Sequence, residues 1–356
     1  MNRKHNAESY LPVALLFAAS VLWTLLCACQ VSGRAPNSDS FTLVSYNVGN
    51  LFDDRVDGTE YAEYVPGASQ WDSDAYHRKL DATAHVLAAL SPRPAVLILQ
   101  EVENRGVLDT LLDHYLGWQD FQARVVAPVD NSAVQNGVAS CFPVTRVRSH
   151  TVFSPDVSVR NIVEVHLDVD GIPLVLLANH WKSKRGGAEE TETLRRRAAA
   201  VVAWRVAELL AQNPCFEIVV AGDLNESADE FVRIGESYQT ALMPVAAAGE
   251  ASADGRQLYV SFAPVIESVL PGGVVLFSPW KLSGSEGSYL FNDHWESPDQ
   301  VLLSAGLTDT RGLRFAGFHT DVPADVMEAF LSDSTWTQPD GYSDHLPVVL
   351  RLERAQ

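Results

Sequence analysis

Cysteine is scarce, with four in 356 residues, and methionine scarcer, with three. Four cysteines over that length exclude a disulfide-stapled miniprotein. No Cys/His set has zinc-finger spacing, which argues against a structural zinc site. Positive charge is the next shortage: 26 Lys+Arg stand against 45 Asp+Glu, a formal charge of -19. Such a balance disfavours loose electrostatic binding to nucleic acid or anionic lipid. It leaves a phosphodiester substrate open, because divalent cations reverse the sign locally. Long hydrophobic runs are missing except for one near the N-terminus, so a polytopic membrane protein is excluded. No internal repeat stands out, and no linker after residue 40. What remains is the composition of a globular domain, 47% hydrophobic and 20% charged, in a chain long enough to bury a large core.

The one apolar run follows Arg3 and Lys4 and extends from Leu11 to Leu26. A basic start before such a run is a secretory signal pattern, and its length also suits an uncleaved anchor. Leu26-Cys27-Ala28-Cys29 resembles the lipobox of bacterial lipoproteins. That resemblance implies a signal over 1–28, a lipid on Cys29 tying the chain to a membrane, and a polar tether over 29–40. Gln30 after the cysteine suggests sorting to the outer membrane; plain secretion is the alternative. Loss of Arg3, Lys4 and Glu8 with the signal leaves the remainder strongly acidic. Cys141 and Cys215 either pair or stay as buried thiols, and spacing alone does not decide.

From residue 41 apolar patterns alternate between two periods. FTLVSYNV (41–48), AVLILQEV (95–102), GVASCFPV (137–144), NIVEVHLDV (161–169) and IPLVLLANH (172–180) read as strands. EIVVAGDLN (217–225), QVLLS (300–304) and LPVVLRL (346–352) read likewise. The continuous apolar run at 95–102 suggests burial on both faces. Asp170-Gly171 marks a hairpin turn. Apolar spacings of three and four predict helices over 74–90 and 194–213, with a shorter one over 106–116. SPRP (91–94) stops the first. The stretch 238–290, rich in Gly, Ser and Pro, has no clear period. The pattern describes a single α/β domain over 41–354.

Polar residues gather where the strands end: Asn47, Glu101, Asn179 with His180, Asp223 with Asn225, and Asp344 with His345. The ends of buried strands are where an α/β scaffold builds its site. Each has an ordinary reading alone, as turn former, salt-bridge partner or satisfied imidazole. Together they make a hard-oxygen set suited to Mg²⁺, with two imidazoles for proton transfer or for hydrogen bonds to phosphate. Asp223 and Asn225, two apart, would share one side of an extended segment. Lys182, Lys184 and Arg185, followed by Arg195, Arg196 and Arg197, form a basic stretch able to hold a phosphate backbone.

The ordered set SYNVGNLFD, LQEVEN, NHWKSK, GDLNE, GSYLFNDHWESPDQVLLS and YSDHLPV resembles the endonuclease/exonuclease/phosphatase superfamily across about 41–354. That resemblance implies a four-layer α/β/β/α sandwich, two mixed sheets face to face with helices outside, and a site where strand-end loops converge. It implies Glu101 as the principal Mg²⁺ ligand, with Asn47 and Asp344 near the metal; Mn²⁺ is a substitute. Asp223 would orient or deprotonate the attacking water, and Asn225 would bond the phosphate or that water. His345, oriented by Asp299, would contact a phosphate oxygen, and His180 would be a proton donor. Arg160, Asn179 and Lys182 complete the set as phosphate-binding residues. Pro298 replaces the usual aliphatic residue before Asp299 and is expected to distort that strand start. No tyrosine is evident as leaving-group acid.

The resulting expectation is a monomeric, metal-dependent phosphoester hydrolase, foremost an extracellular or surface nuclease. The rivals are a phospholipid or sphingomyelin phosphodiesterase, a sugar or inositol phosphatase acting on a phosphorylated small molecule, and a surface binding lipoprotein without chemistry. Trp280, Tyr289 and Trp295 are the aromatics available for a membrane wedge, and each also suits the core.

Overall fold

The computed structural model describes residues 39–127, 132–155, 157–214, 216–248, 256–320, 322–332 and 341–355. The signal, Cys29 and nearly all of the tether fall outside them, as does Cys215, the other half of the Cys141 question. No helix among the described residues is long and apolar enough to cross a membrane.

Among the described residues, seventeen strands form two large sheets and a hairpin. In chain order the first eight are β1 Ser40–Leu51, β2 Val96–Val102, β3 Ala123–Val126, β4 Gln135–Ser140, β5 Val144–His150, β6 Ile162–Val169, β7 Ile172–His180 and β8 Glu217–Asp223. Then follow β9 Leu242–Pro244, β10 Gln257–Ser261, β11 Val269–Leu270, β12 Gly273–Phe277, β13 Tyr289–Phe291, β14 His294–Glu296, β15 Asp299–Leu303, β16 Leu313–Thr320 and β17 Val348–Arg354. One sheet has the order β16-β17-β1-β2-β4-β3. The other runs β5-β6-β7-β8-β15-β12-β10-β9, with β11 beside β12, while β13 and β14 form a separate two-stranded sheet. Both sheets are mixed: β1 with β2 and β7 with β8 are parallel pairs, and β17 and β15 run antiparallel to β1 and β8.

The sheets pack face to face, with β1 and β2 against β8 and β4 against β7. Helix α1 (Ser73–Ala89) covers the outside of the first sheet and α3 (Ala188–Gln212) the outside of the second. Period two assigns every side chain to a layer. In β1, Val44, Tyr46 and Val48 join the core under α1, so Leu43, Ser45 and Asn47 face the other sheet. In β8, Ile218 and Val220 join the core under α3, so Val219, Ala221 and Asp223 face inward. The expected four-layer sandwich is the one observed.

Three elements differ from the sequence reading in their bounds, and one expected distortion is absent. The strand expected over 137–144 breaks after Ser140, whose hydroxyl accepts from the Phe142 N–H at 2.9 Å; the chain leaves one sheet there and enters the other at Val144. The long helix starts six residues early, because AEETET carries no apolar period; Glu189 and Glu190 in its first turn suit the positive end of its dipole. The helix over 106–116 is α2 (Arg105–Thr110), continued by a wider turn over Leu111–Tyr115. Pro298 does not distort its strand. Asp299 pairs with Asp223 in regular register, and the Pro298 carbonyl accepts from the Leu224 N–H at 2.9 Å.

Candidate active site

Parallel pairing puts the C-terminal ends of β1 and β2 together, and those of β7 and β8 together, at one edge of the sandwich. The antiparallel partners β15 and β17 begin at that same edge. Asn47, Glu101, His180, Asp223, Asp299 and His345 therefore meet. Close approach of β7 and β8 there depends on Gly222, which has φ +140°; a Cβ on it would lie 1.9 Å from the Asn179 carbonyl oxygen.

Asn47 is the centre of the cluster. Its side-chain nitrogen donates to Glu101 Oε1 at 3.2 Å and to Asp223 Oδ2 at 3.0 Å, and its oxygen accepts from the Gly49 N–H at 3.1 Å. One amide thus joins a carboxylate from each sheet. In this orientation the amide nitrogen faces the two carboxylates and the amide oxygen faces the Gly49 N–H, which keeps Asn47 beside the groups expected to hold a metal. Glu101 should by alternation point toward the helices. It adopts φ 63° at a bulge in β2 instead, a conformation costly for a non-glycine residue. That kink presents its carboxylate to the cleft, where Oε2 accepts from the Asn50 N–H at 2.7 Å.

Asp223 is 2% exposed. Burial pushes its carboxyl up to about 6; His345, the Asn225 N–H and the Asn47 amide oppose the shift, and Asp299 adds to it. Asp299, fully buried, receives His345 Nδ1 on Oδ2 at 2.7 Å. His345 Nε2 lies 3.8 Å from Asp223 Oδ2. Burial alone would discharge this imidazole, but Asp299, Asp223 and Asp344 outweigh it and hold it well above the usual histidine range. His180 has the opposite fate. Its Nε2 is 3.7 Å from Glu101 Oε1 and 3.6 Å from Asp223 Oδ2. Burial, then Arg160, His345 and Lys182, hold it well below its ordinary value. A neutral imidazole still carries one N–H and can donate it as a hydrogen bond.

A cavity of about 1000 Å³ opens beside these groups; Glu101, Asp344, His180 and Arg160 line it. The Arg160 Nε is buried without a partner, and its Nη2 donates to the Tyr61 hydroxyl at 3.5 Å. Ligand atoms of Asp223, Asp299 and His345 lie within 4.8 Å of one another, and Asp299 Oδ2 and His345 Nδ1 are spent on each other. Of the hard-oxygen groups, Glu101 and Asp344 line the cleft, and Asp223 is buried beside them. Two carboxylates sharing one amide nitrogen, with no lysine or arginine ion-paired to either among the described residues, would be relieved by a bound dication, so these residues fit a divalent metal.

Three expectations fail on geometry. Asn179 lies on the outer face of β7, one residue out of phase with His180, and its amide bonds Leu177 O and Trp181 Nε1; it does not reach a phosphate. Asn225 does not continue an extended segment: it turns left-handed (φ 51°), and its N–H donates to Asp223 Oδ1 at 2.8 Å. The basic stretch is spent mostly inside the fold. Lys184 pairs with Glu230 and Glu296, Arg195 is buried against Glu192 and Glu226, and Arg196 bonds Gln239. Lys182 is half-buried, bonds Ser183, and is pushed down by burial and by Arg160; Arg185 lines the cavity.

Two further residues went unread as part of the site. Ser343 donates to Asn47 O at 2.6 Å and accepts from the His345 N–H at 3.1 Å, tying the SDH turn to β1; its place in YSDHLPV was the available signal. Tyr289, named from the sequence only as an aromatic for a membrane wedge or the core, lays its ring on His345, centroids 4.8 Å apart.

The model of the endonuclease/exonuclease/phosphatase family matches residues 42–354. No curated protein sequence matches the chain. Among solved structures, truncated Caenorhabditis elegans TDP2 is similar at 15% identity, with 88% of this chain and 97% of that one covered and a TM-score of 0.51. An endonuclease/exonuclease/phosphatase from Bacteroides vulgatus is similar at 11% identity, with 88% and 99% covered and a TM-score of 0.52. D. rerio TDP2 complexed with single strand DNA product is similar at 14% identity, with 89% and 100% covered and a TM-score of 0.50. At these identities the structures establish the fold alone.

Proposed function

Since the chain belongs to the endonuclease/exonuclease/phosphatase family, whose enzymes are metal-dependent phosphoesterases, we propose that it is a Mg²⁺-dependent nuclease acting outside the cell. The observation that carries this is the pairing of Glu101 and Asp223 through Asn47, opposite an imidazolium held by Asp299. A similar fold, that of D. rerio TDP2, is solved with a single strand DNA product, which supports nucleic acid as the substrate class. Export and lipidation at Cys29 belong to this proposal and rest on the N-terminal pattern.

Glu101 and Asp344, with Asp223 beside them, would hold the cation, which when bound neutralises charge on phosphoryl and leaving oxygens. Asp223, locked by Asn47 and by the Asn225 N–H, orients the attacking water and takes its proton. A carboxyl near 6 is close to the ideal for a base at neutral pH. His345 Nε2 points at the same space and gives a charge-assisted hydrogen bond to the phosphate as charge builds. Arg160 binds a non-bridging oxygen from the cavity wall.

One observation favours a second reading. The β13–β14 hairpin carries Tyr289, Phe291 and Trp295, and Phe291 is 47% exposed, an aromatic tip suited to a phospholipid surface. The purified protein, given Mg²⁺ or Mn²⁺, should be tested on circular duplex DNA, single-stranded DNA, RNA, sphingomyelin and inositol phosphates, with Asp223→Ala alongside. Nucleic-acid cleavage that disappears with chelator and with Asp223→Ala is the expected result. Release of choline phosphate alone would replace the nuclease with a lipid phosphodiesterase. Metal-stimulated hydrolysis of none would leave a binding lipoprotein.

A further inference from the structure

Ser288 is fully buried, and its hydroxyl donates to Asp299 Oδ2 at 2.6 Å. That is the same oxygen that receives His345 Nδ1 at 2.7 Å. The other oxygen, Oδ1, is buried with no partner. Two donors on one oxygen and none on its twin make an uneven arrangement. Without Ser288 the two oxygens would be equivalent acceptors for the imidazole, and the carboxylate would be free to rotate between them.

The next residue works on the histidine directly. Tyr289 forms an isolated β-bridge with His345, and its ring lies over the imidazole at 34°. The Ser288 carbonyl accepts from the Leu346 N–H at 2.7 Å. Ser288 and Tyr289 thus bracket the His345–Asp299 pair from backbone and side chain alike.

They stand at the mouth of a short hairpin outside both sheets. Its turn, Asn292-Asp293, has positive φ at both positions, the geometry of a tight two-residue turn. Its mouth is closed by the Ser288 N–H donating to Glu296 O at 2.9 Å. A Cβ at Gly287 would lie 2.3 Å from that same oxygen, so glycine there permits the closure. Lys184, on the loop after β7, ties Glu296 down at 3.1 Å, and the Trp280 indole holds the Asp299 backbone at 2.9 Å.

We propose that Ser288, supported by Tyr289 and this anchored hairpin, is the positioning residue of the His345–Asp299 pair, selecting the carboxylate oxygen that orients the imidazole toward the phosphate. The role rests on the hydrolase reading of the same site. Ser288 touches no substrate and acts only through the pair.

Ser288→Ala should lower kcat about ten-fold and leave KM within about two-fold, since one buried donor to a charged acceptor is lost and the substrate contacts are not. In a His345→Ala background the same change should cost nothing further, because the pair through which it acts is gone. Ser288→Cys, which keeps the size and a weak donor, should recover part of the rate. The far-downfield proton of the His345–Asp299 hydrogen bond should shift or broaden in proton NMR spectra of Ser288→Ala. A folded Ser288→Ala with unchanged kcat overturns the proposal, as does an equal loss with and without His345. Loss of folding in both Ser288→Ala and Ser288→Cys overturns it too, for the residue would then serve the fold. An inactive wild type would sink the hydrolase reading; the NMR arm reads the bond directly, so an unmoved proton would separately sink this one.

Discussion

Asn47 donates one amide group to two carboxylates that come from different sheets, and this small contact sets the chemistry. Removing it by Asn47→Ala leaves Glu101 and Asp223 facing each other without a shared donor, a buried like-charge arrangement. We expect kcat to fall about 100-fold with secondary structure retained, checked by steady-state kinetics beside circular dichroism. His345→Ala and Asp223→Ala should each cost about 10²–10³ in kcat. Near-wild-type turnover in either would refute the roles given to them. The cations divide sharply. Arg160→Ala should raise KM about ten-fold or more, since its guanidinium faces the cavity. Lys184→Ala should change KM less than about three-fold, because its charge is already spent on Glu230 and Glu296. A large KM effect at Lys184 would restore the basic stretch as a substrate contact.

At the scale of the element, the site depends on how closely β7 and β8 approach. Gly222→Ala would put a methyl on the Asn179 carbonyl, so we expect a loss of about 3 kcal/mol or more in urea unfolding, with activity lost in parallel. The far end of β8 offers a test away from the chemistry. Glu217 is 4% exposed, its Oε2 has no partner, and burial pushes its carboxyl from 4.5 up to about 8. A folded value above the unfolded one means that the native state binds more protons between those limits. Its contribution to stability is therefore complete below about 4.5 and is lost as pH rises toward about 8. Glu217→Gln should flatten the decline in Tm between pH 5 and 8, and an unchanged slope would refute the assignment. The same strands show what was legible. β7 and β8 are readable from apolar runs, but the long helix α3 begins in residues without apolar period, and β5 was missed beyond Val144 because its residues are mostly exposed and a change of sheet leaves no hydrophobic signature.

For the molecule as a whole, a formal charge of -19 makes a bound dication do two things at once. It permits a phosphate to approach, and it relieves repulsion among the clustered acids. Mg²⁺ or Mn²⁺ should therefore raise Tm as well as activity. At a hundred times Kd the gain is about 2.7 kcal/mol, visible as a shift of a few degrees in differential scanning calorimetry. The shift should be smaller in Glu101→Gln, and an identical shift in that variant would place the cation elsewhere.

The motifs around Asn47, Glu101, Asp223 and His345 were readable in advance because strand ends and chemistry-bearing residue types are local features. Once the two cores fix one face of each strand, period two places Asn47, His180 and Asp223 on the inner faces and Asn179 on the outer one. Three things were not local. The left-handed kink at Glu101 overrides alternation, the basic stretch is consumed by acids up to 112 residues away, and a serine in an unpatterned segment meets Asp299 across a hairpin. Residue order along the chain determines which groups exist and the face of each strand they occupy. Which of them share an oxygen, a proton or a charge is decided only when distant segments pack, because those energies act over a few ångströms of space and not over distance along the chain.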